Sequence, residues 1–146
     1  MKKLSFLLIA LVLVTATSLM GCARCADCPK VIKTVILEGV NFDFDKSNLK
    51  PNAKNILDDD VRMLKSNHRL KVSVEGHCDV RGTDAYNMNL SQRRADSVYK
   101  YLLKQGVAAK RMDTVAYGRS QPLVPNTTEA NMAKNRRVEL KIIQFR

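Results

Sequence analysis

Leu70-Lys71-Val72-Ser73-Val74-Glu75-Gly76-His77-Cys78-Asp79-Val80-Arg81-Gly82-Thr83 is the stretch from which the rest of this chain can be read. Leu70, Val72 and Val74 alternate with Lys71, Ser73 and Glu75, the period of a strand with one buried face. Gly76 to Tyr86 reads as a loop. A long helix follows, at least Ser91 to Gln105, with Gly106 in the C-terminal stop position. Upstream, Val40, Phe42 and Phe44 alternate with Asn41, Asp43 and Asp45, which predicts a strand. Asp45 to Lys50 is a polar turn. Pro51 suits the first turn of a helix, and Ala53, Ile56, Leu57, Val61 and Leu64 then fall at helical spacing. Asp58-Asp59-Asp60 reads as a solvated face of that helix. Downstream, Met112 to Tyr117 is a short strand and Gly118 to Asn131 a loop with Pro122 and Pro125. Val138, Leu140 and Ile142 mark a last strand. The expected order is β-α-β-α-β-β, an α/β fold (an α+β sandwich) with helices packed on one face of a mixed sheet.

The 146 residues suffice for one domain. At 45% hydrophobic the chain is neither disordered nor collagen-like. Twenty-five Lys and Arg against 14 Asp and Glu give a formal charge of +11, which favours an anionic partner. Nucleic acid is the weaker choice, because acids are interspersed among the bases and only 5% of residues are aromatic.

His77, Cys78 and Asp79 are consecutive and invite a nucleophile-and-base reading. Strand parity argues against it: Cys78 falls on the Val72 and Val74 side, His77 on the Ser73 and Glu75 side. Such neighbours are badly placed for a hydrogen bond of about 3 Å. Cys78 reads better as a small buried hydrophobe. His68, near a helix–strand turn, reads as solvated. On the following helix, Ser91, Ala95, Val98 and Leu102 form an inward stripe. At about 100° per residue Arg93 points to solvent and Arg94 lies on the flank, in what reads as the first turn. Asp79 and Arg94 can therefore converge on one cleft and suit a zwitterion carrying ammonium and carboxylate groups. Equally, the two can simply pair with each other; spacing alone leaves both readings open.

The N-terminus reads as an address. Met1-Lys2-Lys3 is basic, Leu4 to Val14 is almost wholly apolar, and small or polar residues follow, the layout of a signal peptide over residues 1–21. Leu19-Met20-Gly21-Cys22 resembles the bacterial lipobox, in which the Cys is lipidated and becomes the new N-terminus. Cleavage there removes Lys2 and Lys3 and lowers the formal charge from +11 to +9. Several acyl chains on Cys22 hold a protein far better than one. Ala23 after the Cys, where an Asp would signal inner-membrane retention, implies the outer membrane. Residues 22–34 form a short tether of at most about 40 Å beyond the Cys. The domain is expected over 35–146. Cys25 and Cys28 can pair as a disulfide in an oxidising compartment, make a further tethering contact or, less readily, hold a metal.

Five stretches carry a resemblance. These are Val40-Asn41-Phe42-Asp43-Phe44-Asp45-Lys46-Ser47, Val74 through Thr83, Asn87-Met88-Asn89-Leu90-Ser91-Gln92-Arg93-Arg94-Ala95, Ala116-Tyr117-Gly118 and Asn135-Arg136-Arg137-Val138. In order and spacing the chain resembles the OmpA-like peptidoglycan-binding domain family from roughly Val35 to Ile143. The Arg-Gly-Thr after Asp79, with a lipobox and no β-barrel, is most similar to its peptidoglycan-associated lipoprotein (Pal) group. The resemblance implies non-covalent binding of the diaminopimelate-bearing stem peptide of peptidoglycan, on the periplasmic face of the outer membrane. It implies that Asp79 accepts the ligand ammonium and Arg94 holds a carboxylate. Phe42 and Asp43 lie beside the cleft, Asn87 and Leu90 shape it, and Asn135 and Arg136 support it. Cys78 stands where the family has Thr or Ala, and the tether is shorter than that group's linkers. No enzymatic activity, no metal and no cofactor beyond lipid on Cys22 are implied; an envelope protein such as TolB is the implied partner. The competing reading is a periplasmic thiol or redox enzyme using Cys78 or the Cys25 and Cys28 pair.

Overall fold

The computed structural model describes the backbone of residues 30–144 and the side chains of residues 40–143. The expected signal segment, Cys22 and the Cys25 and Cys28 pair lie outside the described residues. No helix among the described residues is long and apolar enough to cross a membrane.

The chain runs β1 (Lys30–Asn41), α1 (Pro51–Ser66), β2 (Leu70–Gly76), α2 (Asp84–Lys104), a 3-10 turn (Ala109–Arg111), β3 (Met112–Ala116), α3 (Glu129–Asn135) and β4 (Arg137–Gln144). The strands form one mixed sheet in the order β1-β4-β2-β3. β4 is antiparallel to β1 and to β2, while β2 and β3 are parallel. The sheet is therefore the expected mixed α/β arrangement, with α3 added between the last two strands.

One stripe from each long helix meets the alternating residues of the strands. Ala53, Leu57, Val61 and Leu64 of α1 and Ala95, Val98 and Leu102 of α2 bury against Val72, Val74, Leu140 and Ile142. Burying an aliphatic side chain of this size contributes about 1.5–3 kcal/mol, so this layer dominates the stability. Arg111 ties the far end together: its guanidinium donates to the carbonyls of Leu64, Asn67 and Leu70, capping the C-terminus of α1. The acidic run is less uniformly solvated than the pattern suggests. Asp59 is exposed and pairs with Arg62, but Asp58 is half-buried and accepts from Tyr101 Oη at 2.7 Å.

Four boundaries differ from expectation. β1 starts at Lys30, inside the stretch expected to be tether, and ends at Asn41. The Phe42/Phe44 alternation is not strand. Phe42 is buried, whereas the chain turns at Asp43 to Lys46, Asp45 adopts φ 58°, and Phe44 is left 57% exposed. α2 begins at Asp84 rather than near Ser91, because Thr83 Oγ1 accepts from Tyr86 N and caps the first turn. Within the expected loop Gly118 to Asn131, Thr128 caps a further short helix, α3.

Gly76 sets the packing of α2 on β2. A Cβ there would stand 2.1 Å from the Ser91 carbonyl oxygen, so only glycine lets the helix backbone lie this close to the strand end. That approach brings the loop after β2 alongside the third turn of α2, where Arg94 stands.

Candidate binding site

Arg94 is the largest fully buried side chain among the described residues, 0% exposed. It does not lie on the flank of a first turn as expected, because α2 starts earlier; it sits mid-helix, under loops from two other parts of the chain. Its guanidinium donates from Nε to the Lys46 carbonyl (3.0 Å), from Nη2 to the Asp43 carbonyl (3.2 Å), and from Nη1 to the His77 carbonyl (2.9 Å) and Cys78 Sγ (3.2 Å). The Phe42 ring lies beneath it, 5.3 Å from ring centroid to Cζ. Four of the five guanidinium N–H groups are thus committed, leaving one on Nη2. Burial pulls the guanidinium's pKa down against the opposing pull of Cys78 and nearby acids. Arg93 is exposed, as its angle predicts.

Asp79 and Arg94 line the same cavity, of about 140 Å³, together with Cys78, Asn87, Leu90 and Arg136. They do not pair with each other. Asp79 instead takes Arg81, through Nη2 (2.5 Å) and the Arg81 backbone N–H (3.1 Å), and Arg136 Nη1 (3.0 Å). Burial raises the Asp79 carboxyl, but these two guanidiniums outweigh it and hold the group below the usual carboxylate range. Arg136 is buried and further fixed by Glu129 and the Phe42 carbonyl. Arg81 is 35% exposed and lies over the Phe44 ring at 4.1 Å.

The other predicted residues take distinct places. Asn87 lines the cleft and donates Nδ2 to the Arg81 carbonyl at 2.8 Å, fixing the loop. Leu90 forms part of its wall. Phe42 and Asp43 are absent from the lining: Phe42 belongs to the core and supports Arg94 from below, while the exposed Asp43 carboxylate pairs with Lys50 at 2.6 Å. Asn135 is fully buried away from the cleft and holds the Leu123–Asn126 loop through Leu123 N, Val124 N, Val124 O and Asn126 Oδ1. Sequence reasoning gave no place in the cleft to Arg81, Phe44, Asp45, Gly82 or Tyr86, all of which line it. The Asp79-x-Arg81 spacing was a usable signal for the first. The Tyr86 hydroxyl to Asp45 hydrogen bond, between distant segments, was not.

His77 and Cys78 point to opposite faces, as parity predicts. Cys78 lines the Arg94 cleft; His77 lines a separate cavity with Tyr117 and Glu139. Burial pushes the Cys78 thiol up, against a lowering by Arg94. Burial, then the Arg137 charge, pulls His77 down to about 4. His68 is exposed.

Residues 41–136 match the OmpA family. The chain is 45% identical over 100 residues to the peptidoglycan-associated lipoprotein of Pseudomonas aeruginosa, an overlap of 68% of this chain and 59% of that protein. It is 50% identical over 107 residues to outer membrane porin F of Pseudomonas fluorescens, covering 70% of this chain and 32% of that one. It therefore spans about a third to three fifths of the length of these relatives. The crystal structure of the peptidoglycan-associated lipoprotein from Burkholderia pseudomallei superposes with a TM-score of 0.68 at 32% identity, over 75% of this chain and 89% of that chain. A family match over residues 41–136, these relatives and the shared fold agree: the chain belongs to the OmpA family.

Proposed function

We propose that this domain binds peptidoglycan non-covalently, taking the diaminopimelate end of a stem peptide into the Asp79 and Arg94 cleft. In the same reading, lipid on Cys22 anchors it to the periplasmic face of the outer membrane, so that it joins membrane to wall. The observation that carries the reading is the shared cavity, with a carboxylate and a buried guanidinium on its wall in a chain of this family. The relatives named for peptidoglycan association support the ligand class.

The geometry adds a step. Asp79 is already occupied, so a ligand ammonium has to displace Arg81, the exposed partner, while buried Arg136 stays. The ligand carboxylate then meets the uncommitted N–H of Arg94. Each charge-assisted hydrogen bond contributes about 1.5–3 kcal/mol net, so single-site affinity is modest. Many stem peptides beside a membrane-held domain supply the rest through effective concentration. By resemblance alone, an envelope protein such as TolB is the expected protein partner. A thiol enzyme fits less well, since the Cys78 thiol is buried, raised in pKa and turned away from His77.

Co-sedimentation with isolated sacculi tests the reading. Asp79→Asn should lose retention and Cys78→Ala should keep it. Retention of folded Asp79→Asn at the parent level would overturn the site.

A further inference from the structure

On the sheet face turned away from the cleft, Glu75 and Glu139 sit directly opposite each other in the β2–β4 register. Like charges in that relation repel, and Arg137 beside Glu139 and Lys141 beside Glu75 offset part of that repulsion from the flanks. His77 follows Glu75 by two residues and keeps to the same face. One ligand atom from each of the three lies within 4.8 Å of the others, and all three side chains are buried. Neither nitrogen of His77, itself only 3% exposed, closes a hydrogen bond of full geometry with a described residue. The Gln121 backbone passes near, and the closest carboxylate oxygen is Glu139 Oε1, 4.0 Å from Nε2. The Tyr117 ring stacks on the imidazole at 5.3 Å and fixes its plane. A cavity of about 380 Å³ opens onto this group.

We propose that Glu75, His77 and Glu139 form a binding site for a divalent transition-metal ion, with Zn²⁺ the best match. One imidazole and two carboxylates suit that ion, at about 2.0–2.2 Å from each donor. Donor atoms in such a site stand roughly 3.4 Å apart, so the group closes by about 1 Å through rotation of the glutamates. The adjoining cavity leaves the fourth position to water. The supporting contacts are already present. Ser73 Oγ donates to Glu75 Oε1 (3.2 Å) and Arg137 Nε to Glu139 Oε1 (2.7 Å), orienting both carboxylates; because Oε1, the Glu139 oxygen nearest His77, is held by Arg137, the ion would draw on the second oxygen after the carboxylate turns. Arg137 and Lys141, the latter 3.7 Å from Glu75 Oε1, limit the affinity by repelling a cation. The bound ion would clamp β2 to β4 where their carboxylates oppose. The site lies across the sheet from the Asp79 cleft and stands or falls independently of wall binding.

The test uses the full chain in detergent with Cys22, Cys25 and Cys28 changed to Ser, because those thiols would chelate zinc themselves. Titration with zinc sulfate by calorimetry should show one bound ion and a raised melting temperature. His77→Gln should weaken binding by about tenfold or more, and Lys141→Gln should tighten it. In the metal-free chain His77→Gln also loses the Tyr117 stack and the approach to Gln121 and Glu139, so melting in EDTA at neutral pH checks that it folds; if it does not, Glu75→Gln carries the same comparison. No binding at millimolar zinc, parent-level binding in the folded ligand variant, or no tightening in Lys141→Gln would overturn the assignment.

Discussion

Replacing Arg94 by Met should cost the domain about 2–5 kcal/mol of folding stability, quite apart from any ligand. The variant removes four hydrogen bonds that join α2 to the loop after β1 and to the end of β2. Bonds from a charged donor contribute about 1.5–3 kcal/mol each. The sum is an overestimate, because the buried cation has given up its hydration, as the lowered pKa indicates. Water can also satisfy the part-buried Asp43 and Lys46 carbonyls in the variant. What remains is the buried His77 carbonyl left without its donor and a void that the flexible Met only partly fills. A buried acceptor left without its donor costs about 1–3 kcal/mol, and a partly filled core void adds about 1–2 kcal/mol. Urea unfolding followed by circular dichroism measures it: with a slope of about 1–3 kcal/mol per molar, the midpoint should fall by roughly 2 M at unchanged slope. Arg94→Lys, which keeps the charge but cannot reach all four acceptors, should fall between. A loss under about 1 kcal/mol would refute the claim that Arg94 holds the cleft together, leaving it a ligand contact only.

Gly76→Ala places a methyl 2.1 Å from a helix carbonyl, so α2 has to move; a loss of about 2 kcal/mol or more is expected by the same unfolding assay, and a near-neutral result would contradict the close approach. Acid should destabilise the domain through His77, faced by Glu75, Glu139, Arg137, Lys141 and Tyr117. Its folded pKa of about 4 lies below the ordinary 6.5, so the unfolded chain binds more protons between those values. Stability is complete above pH 6.5 and falls toward pH 4, by on the order of 3 kcal/mol. In EDTA, His77→Gln should flatten that window, and an unchanged profile would show the titration belongs elsewhere.

The sheet was legible where apolar and polar residues alternate, Val72 and Val74 against Lys71 and Glu75, Leu140 and Ile142 against Lys141, although the polar face of β2 is itself buried at Ser73 and Glu75. Phe44 misled because the same alternation runs past the strand end into a turn fixed by Asp45, whose left-handed backbone leaves no trace in hydrophobicity. The first turns of α2 and the short α3 bury no continuous apolar stripe, so their clearest signals were the caps Thr83 and Thr128. Asp79 and Arg94 were identifiable as sharing one cleft, but not their partners. Arg94 is buried by Asp43 and Lys46, which a helical wheel cannot see, and Asp79 is taken by Arg81 and Arg136, one of them far along the chain. Glu75 and Glu139 become neighbours only through the antiparallel register.

The most direct measurement is binding of muropeptides with free or amidated diaminopimelate to this chain and to its Asp79→Asn and Arg81→Ala variants. The account predicts binding of the free form, loss on amidation or in Asp79→Asn, and tighter binding in Arg81→Ala because the competing guanidinium is gone. Equal affinity for both muropeptides, unchanged in folded Asp79→Asn, would contradict it.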